Sequence, residues 1–166
     1  MTKIVDKVVG KLVFRGIIMK YEISKGTLAI LPNEKNSSVV YEDDDRYIIK
    51  QTPYQIMEES CKYFGSTYEG RKDGAREMLG AEYKVPIVIE DSSNLIVFPT
   101  TSPLSEDCVW ISLKRVEKIE KIDANNTKII FDNKTEIIVD SSYRTIENQL
   151  SRASRLDLIL RNHKNS

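Results

Sequence analysis

One histidine and two cysteines in 166 residues leave this chain short of the side chains that metal and nucleophile chemistry most often uses. The histidine, His163, lies in the polar run 161–166, and chain ends of that kind fray. A Ser–His–Asp or Cys–His relay therefore has no firm base to build on, and sites made of several histidines are excluded. Cys61 and Cys108 stand alone, with no C-x-x-C pair, whereas structural zinc needs about four clustered N or S ligands. They read as two small buried hydrophobes in a reducing compartment. No cofactor and no metal are expected. Glycine (7) and proline (5) are sparse, which excludes collagen-like and low-complexity classes. Long apolar runs are missing as well: residues 8–19 come nearest and are broken by Lys11 and Arg15. With no secretory signal pattern either, the expectation is a cytoplasmic protein with no membrane partner.

An excess of one charge is the last absence. Lys+Arg is 25 and Asp+Glu is 25, a balance that argues against coating nucleic acid by bulk attraction and leaves a local basic face open. The charge is nevertheless sorted. Residues 1–20 hold five bases and one acid, and residues 33–45 hold five acids and one lysine. A chain of this size buries roughly two-thirds of its unfolded surface, enough for one self-supporting domain.

Short β-like runs come first, at 21–23, 27–31, 39–41 and 47–49, parted by Lys25-Gly26, Pro32-Asn33 and the acidic tip Asp43-Asp44-Asp45. They read as an antiparallel meander. Thr52-Pro53 opens a helix, with Thr as cap and Pro in the first turn, and Gly65 closes it. A second helix is expected over 70–79, closed by Gly80. Strands follow at 86–90 and 95–98, around a turn at 91–94, and at 108–113. Val116, Ile119 and Ile122 recur every third residue and fit either a strand or a helix. Segments 128–131 and 136–139 flank a hairpin turn. The last segment, 143–162, is helical, capped by Ser141 or Ser142, with Ile146, Leu150, Ala153, Leu156 and Leu160 in one arc about 120° wide. The expected class is α+β: a mostly antiparallel sheet, a central helix pair and a long C-terminal helix. Residues 1–18, with Lys3, Lys7, Lys11 and Arg15, precede this pattern as an arm, an amphipathic helix or an extension outside the fold. The domain proper is 19–163.

Two segments carry candidate chemistry. Gly65-Ser-Thr-Tyr-Glu-Gly70-Arg71-Lys72 has the outline of a phosphate loop, but Arg71 stands where the lysine belongs and Lys72 where the magnesium-holding hydroxyl belongs. The plainer alternative is a joint between two helices, with Arg71, Lys72 and Arg76 solvated and offset by Glu69, Asp73 and Glu77. On the final helix, Arg144, Asn148, Arg152 and Arg155 fall within an arc of roughly 80° opposite the apolar stripe. Residues 141–166 carry five bases and two acids. Arg and Asn suit phosphate and base-edge contacts, and a solvated helix face is the alternative. Asp43–Asp45 read as solvated turn charges, and Trp110 as core rather than a stacking platform. Tyr63, Phe64 and Tyr68 divide between core and interface.

Taken in order, Ser60-Cys-Lys-Tyr-Phe-Gly-Ser-Thr-Tyr-Glu-Gly-Arg-Lys72, Pro86-Ile-Val-Ile, the strand 94–99 ending in Phe-Pro, Cys108-Val-Trp-Ile-Ser112 and Ile146-Glu-Asn-Gln149 resemble the ComK family, the competence transcription factors of Gram-positive bacteria. The likeness runs from about Met19 to about Arg161. It implies a non-enzymatic, sequence-specific activator of DNA-uptake and recombination genes. Such a protein binds paired AT-rich boxes in double-stranded DNA, largely through the minor groove, as a dimer or tetramer, and works with RNA polymerase. The DNA surface expected here combines Arg71, Lys72 and Arg76 with Arg144, Asn148, Arg152 and Arg155. Some family members carry a longer tail, captured by the adaptor of a Clp protease. This chain ends at Ser166, which leaves that partner open. Met19 is an alternative start. The competing functional readings are a truncated paralogue that pairs with a longer competence factor without activating, and a phosphate-binding enzyme using Gly65–Lys72.

Overall fold

The structure, a computed structural model, describes residues 5–8, 11–14, 17–43 and 45–165. Lys3, Arg15 and Asp44 lie outside them. Twelve strands are described: β1 (Val5–Val8), β2 (Lys11–Phe14), β3 (Ile17–Tyr21), β4 (Thr27–Asn33), β5 (Ser37–Glu42), β6 (Arg46–Ile49), β7 (Ile87–Glu90), β8 (Leu95–Pro99), β9 (Trp110–Ser112), β10 (Val116–Lys121), β11 (Thr127–Phe131) and β12 (Glu136–Val139). Three α-helices accompany them, α1 (Pro53–Tyr63), α2 (Tyr68–Leu79) and α3 (Tyr143–Lys164), with one 3-10 turn at Leu113–Arg115. The class is α+β, as expected. β1–β9 form one sheet in the order β1-β2-β3-β6-β5-β4-β9-β8-β7, and β10-β11-β12 form a second.

Residues 27–49 are the antiparallel meander the turn signals predicted. Lys35 and Asn36 both take positive φ (53° and 56°), the backbone that a tight hairpin turn demands. The strand placed at 21–23 begins and ends earlier, at 17–21, and pairs with β6 in parallel through Ile18 and Ile49. The segment ahead of it forms the β1–β2 hairpin in place of an amphipathic helix. Lys11 holds that hairpin to the sheet. Its Nζ lies 3.2 Å from Glu42 Oε2 and 3.6 Å from the Tyr47 ring centre, and the Tyr21 hydroxyl donates to Glu42 Oε1 at 2.8 Å. Burial and the Glu42 charge push the Tyr21 phenol well above its ordinary range.

α1 begins with a complete capping box. The Gln55 N–H donates to Thr52 Oγ1 (3.1 Å), and the Thr52 N–H donates to Gln55 Oε1 (2.9 Å). Ile56, Met57, Ser60 and Cys61 face the sheet, and Ser60 Oγ accepts the buried Ile23 N–H at 3.0 Å. The apolar stripe of α3 divides as its arc predicts: Ile146, Ala153 and Leu156 are wholly buried, while Leu150 and Leu160 pack at the margin. Each fully buried Ile or Leu contributes roughly 1.5–3 kcal/mol. Trp110 is core, with its ring edge-on to Tyr68 at 6.3 Å.

Candidate nucleic-acid interface

The Gly65–Lys72 segment is a joint between two helices. α1 ends at Tyr63 with Phe64 as its cap, and Gly65 turns the chain with φ +81°, a conformation side chains rarely tolerate. Thr67 then caps α2 by accepting the Gly70 N–H at 3.0 Å. A helix precedes the glycines where a phosphate loop requires a strand, and the capping threonine already holds one of α2's leading N–H groups. A groove of about 890 Å³ opens beside this joint, lined by Tyr54, Lys72, Tyr83 and Ser142 among others. Its charged lining is Lys72 and Lys84 against Glu69, Glu82 and Asp140, a balance that does not favour phosphate.

The three basic residues of α2 are only partly available. Lys72 pairs with Glu69 at 3.1 Å, and Arg76 reaches Asp73 at 3.8 Å and Glu82 at 3.5 Å. Arg71 is half-buried near Cys61, and its Nε has no hydrogen-bond partner among the described residues. Burial pushes the Cys61 thiol up to about 11, against the opposing pull of the Arg71 charge, so no reactive thiolate is presented there. Tyr68 is core, Phe64 half-buried and Tyr63 exposed.

α3 starts on the Ser142 cap, whose Oγ accepts the Thr145 N–H at 3.2 Å. Its basic stripe separates into two pairs. Arg144 and Asn148 are exposed and have no hydrogen-bond or ion-pair partner among the described residues. Arg152 and Arg155 lean onto the α2–β7 connection: Arg152 Nη1 donates to the Tyr83 carbonyl at 2.8 Å, and Arg155 Nη2 to the Leu79 carbonyl at 3.1 Å. The second contact places a cation on the carbonyl end of α2, where the helix dipole favours it. Buried Gln149 completes the seam by donating from Nε2 to the Lys84 carbonyl (2.8 Å) and the Pro99 carbonyl (2.7 Å). Of the expected site residues, Arg152 and Arg155 thus close the seam between α3 and the end of α2, with Arg144 and Asn148 exposed farther toward the start of α3, while Arg71 lies toward Cys61 of α1.

Sequence reasoning missed Arg115. It grips the Asp132 carboxylate from Nε (3.1 Å) and Nη2 (2.8 Å), the Lys25 carbonyl from Nη1 (2.9 Å), and Asp43 from Nη2. The bonds to Asp132 and Asp43 hold its guanidinium protonated beyond the ordinary range, and Arg115 in turn draws the Asp132 carboxyl below its ordinary value. Asp43, expected to be a solvated turn charge, is one jaw of this clamp. Its partner stands 72 residues away, and no local pattern announces such a pair.

The family described as "ComK protein" matches residues 18–165. A Bacillus subtilis (strain 168) protein described as "Competence transcription factor" is 34% identical over 139 residues, which cover 82% of this chain and 72% of that one. No solved structure matches. The match from the foot of β3 to the end of α3 takes in the helix joint, the α2–α3 seam and both sheets' core strands, and on it the chain belongs to the ComK protein family.

Proposed function

We propose that the protein is a cytoplasmic, DNA-binding activator of competence genes that recognises paired AT-rich boxes through the minor groove, as a homo-oligomer and without catalysis. RNA polymerase is its further partner in this reading. The observation that carries it is the exposed Arg144/Asn148 pair, followed along α3 by Arg152 and Arg155. An A-tract's narrow minor groove concentrates negative potential and draws in Arg, and Asn reaches the acceptors that A·T pairs present there. The name of the B. subtilis relative supports the same role. In this reading Lys72 and Arg76 exchange their surface carboxylate partners for phosphates, since exposed ion pairs of that kind are worth little, and Arg71, which holds no carboxylate, joins them.

The test is a salt-dependent anisotropy titration on a duplex with two AT-rich boxes and on a GC-rich control. Selective, cooperative binding to the first is expected. Arg144→Ala should weaken binding to both and lower the slope of log affinity against log salt by about one. Equal, weak binding of the unaltered protein to both duplexes refutes the reading.

A further inference from the structure

The outer face of the β3–β6 half of the large sheet carries a row of apolar side chains that the described residues leave partly open. The pairing fixes their order. Leu31 on β4 lies opposite Val39 on β5, and Val39 lies opposite Ile48 on β6. β6 pairs with β3 through Ile49 and Ile18, which sets Ile17 beside Ile48. Alternation along the strands turns Ile18, Lys20 and Ile49 inward, where Lys20 meets Glu59 of α1 at 3.1 Å, and turns Ile17, Met19 and Ile48 outward. Ile48 is 61% exposed, Ile17 45% and Met19 42%, with Val39 and Leu31 half-buried beside them. Four strands spaced about 4.8 Å apart make this one continuous ridge of roughly 14 Å.

The polar groups around the ridge are as one-sided as the ridge itself. Arg46 and Lys50 flank Ile48 on β6 and just past its end, both exposed. Arg46 is laid over the Tyr41 ring at 5.2 Å, with its Nη1 donating to the Tyr41 hydroxyl at 3.2 Å. Lys50 has no ion-pair partner among the described residues. Asn33 ends β4 on the same face; of the acids nearest in sequence, Glu34 and Asp45 sit in the turns at either end, Glu22 follows β3, and Glu42 is taken up by Lys11 and Tyr21.

Resting on the function proposed above, we infer that this sheet face is a second DNA-contacting surface, whose Ile17–Ile48–Val39–Leu31 ridge wedges against AT base steps in an opened minor groove while Arg46 and Lys50 take the bordering phosphates. Branched apolar side chains inserted between base steps unstack and kink a duplex, and pyrimidine–purine steps yield most easily. A second copy of the chain fits the face less well. Facing ridges would set Arg46 and Lys50 against their own kind. The side chains also offer only roughly 300–400 Å², below the roughly 800 Å² per partner of a stable interface.

The experiment uses the full chain and an AT-box duplex labelled at both ends for energy transfer, beside the GC-rich control. Ile48→Ser and the double variant Ile17→Ser/Ile48→Ser alter exposed positions and should keep the melting temperature and sedimentation of the unaltered protein. The expected result is a roughly tenfold loss of AT-box affinity with little change on the control. The bend should be lost too, and Ile48→Leu should retain both bend and selectivity. If the unaltered protein bends and selects the AT duplex and the serine variants do so equally, the inference is overturned while the proposed function stands. If the serine variants instead turn an oligomer into monomers, the face is a contact between copies and the inference is likewise overturned. If the unaltered protein shows no AT selectivity, the proposed function fails and this inference with it.

Discussion

Gln149 offers the sharpest test of what holds α3 in place. The side chain is 2% exposed and its one amide nitrogen serves two carbonyls, of Lys84 and Pro99. Gln149→Met keeps the length and most of the volume but removes both donated bonds. A buried acceptor left without a partner costs about 1–3 kcal/mol, more where water has no access. The Pro99 end is wholly buried and takes the upper part of that range, while the Lys84 end is partly buried and takes the lower. Methionine returns a fraction through apolar burial. The net cost is about 3 kcal/mol, which for a chain of this size lowers Tm by roughly 6–12 °C. Urea unfolding followed by far-UV dichroism and by Trp110 fluorescence reads it directly. A loss under about 1 kcal/mol, with an unchanged denaturant slope, would mean that water or a shifted backbone satisfies both carbonyls, and would refute the claim that this side chain pins the helix.

Two further outcomes follow from the geometry. Arg115→Ala should destabilise the protein by about 1–2 kcal/mol at neutral pH, its partners being half-exposed and screened. Because Arg115 depresses the Asp132 carboxyl in the folded state, that stabilisation is present above the ordinary value of 3.8 and disappears as pH falls below it. The two proteins' stabilities should therefore converge in acid; a gap that stays constant down to pH 2–3 would exclude the ionic clamp. Gly65→Ala adds a methyl where nothing lies within 4 Å, so its cost is purely that of φ +81°, about 1 kcal/mol. A chemical denaturation midpoint equal to that of the unaltered protein would show that the joint does not need the left-handed turn.

What could be read from the sequence was what short-range chemistry encodes. The caps at Thr52, Gly80 and Ser142 and the arc of Ile146, Ala153 and Leu156 are local signals, and the helices form where those signals place them, except that α2, expected from residue 70, starts at Tyr68 on a Thr67 cap that was not read. Val116 and Ile119 stayed ambiguous for a physical reason. A register shift in β10 between Val116 and Lys118 inserts a residue, so two core-packed side chains stand three apart in a strand whose period is two. The parallel β3–β6 pairing, the Lys11–Glu42 bond that ties β2 to the sheet, and the Arg115 clamp depend on partners far along the chain. The basic stripe of α3 was visible as a pattern. That Arg152 and Arg155 brace the seam was not, because it depends on where the residue 79–83 carbonyls come to rest.

The place of β4 in the sheet bears on how the protein is made. β4 lies between β5, its immediate successor, and β9, to which Ile30 bonds through Trp110. On a ribosome adding 5–20 residues per second, the strand that covers this flank arrives about eighty residues later, some seconds after β5 has paired. During that interval the backbone groups of Ala29 and Ile30 form an open edge beside apolar side chains, a template for any passing strand. A burst of synthesis, crowding many such chains together, would meet its aggregation hazard at this edge, and starting fewer chains at a time should recover soluble protein.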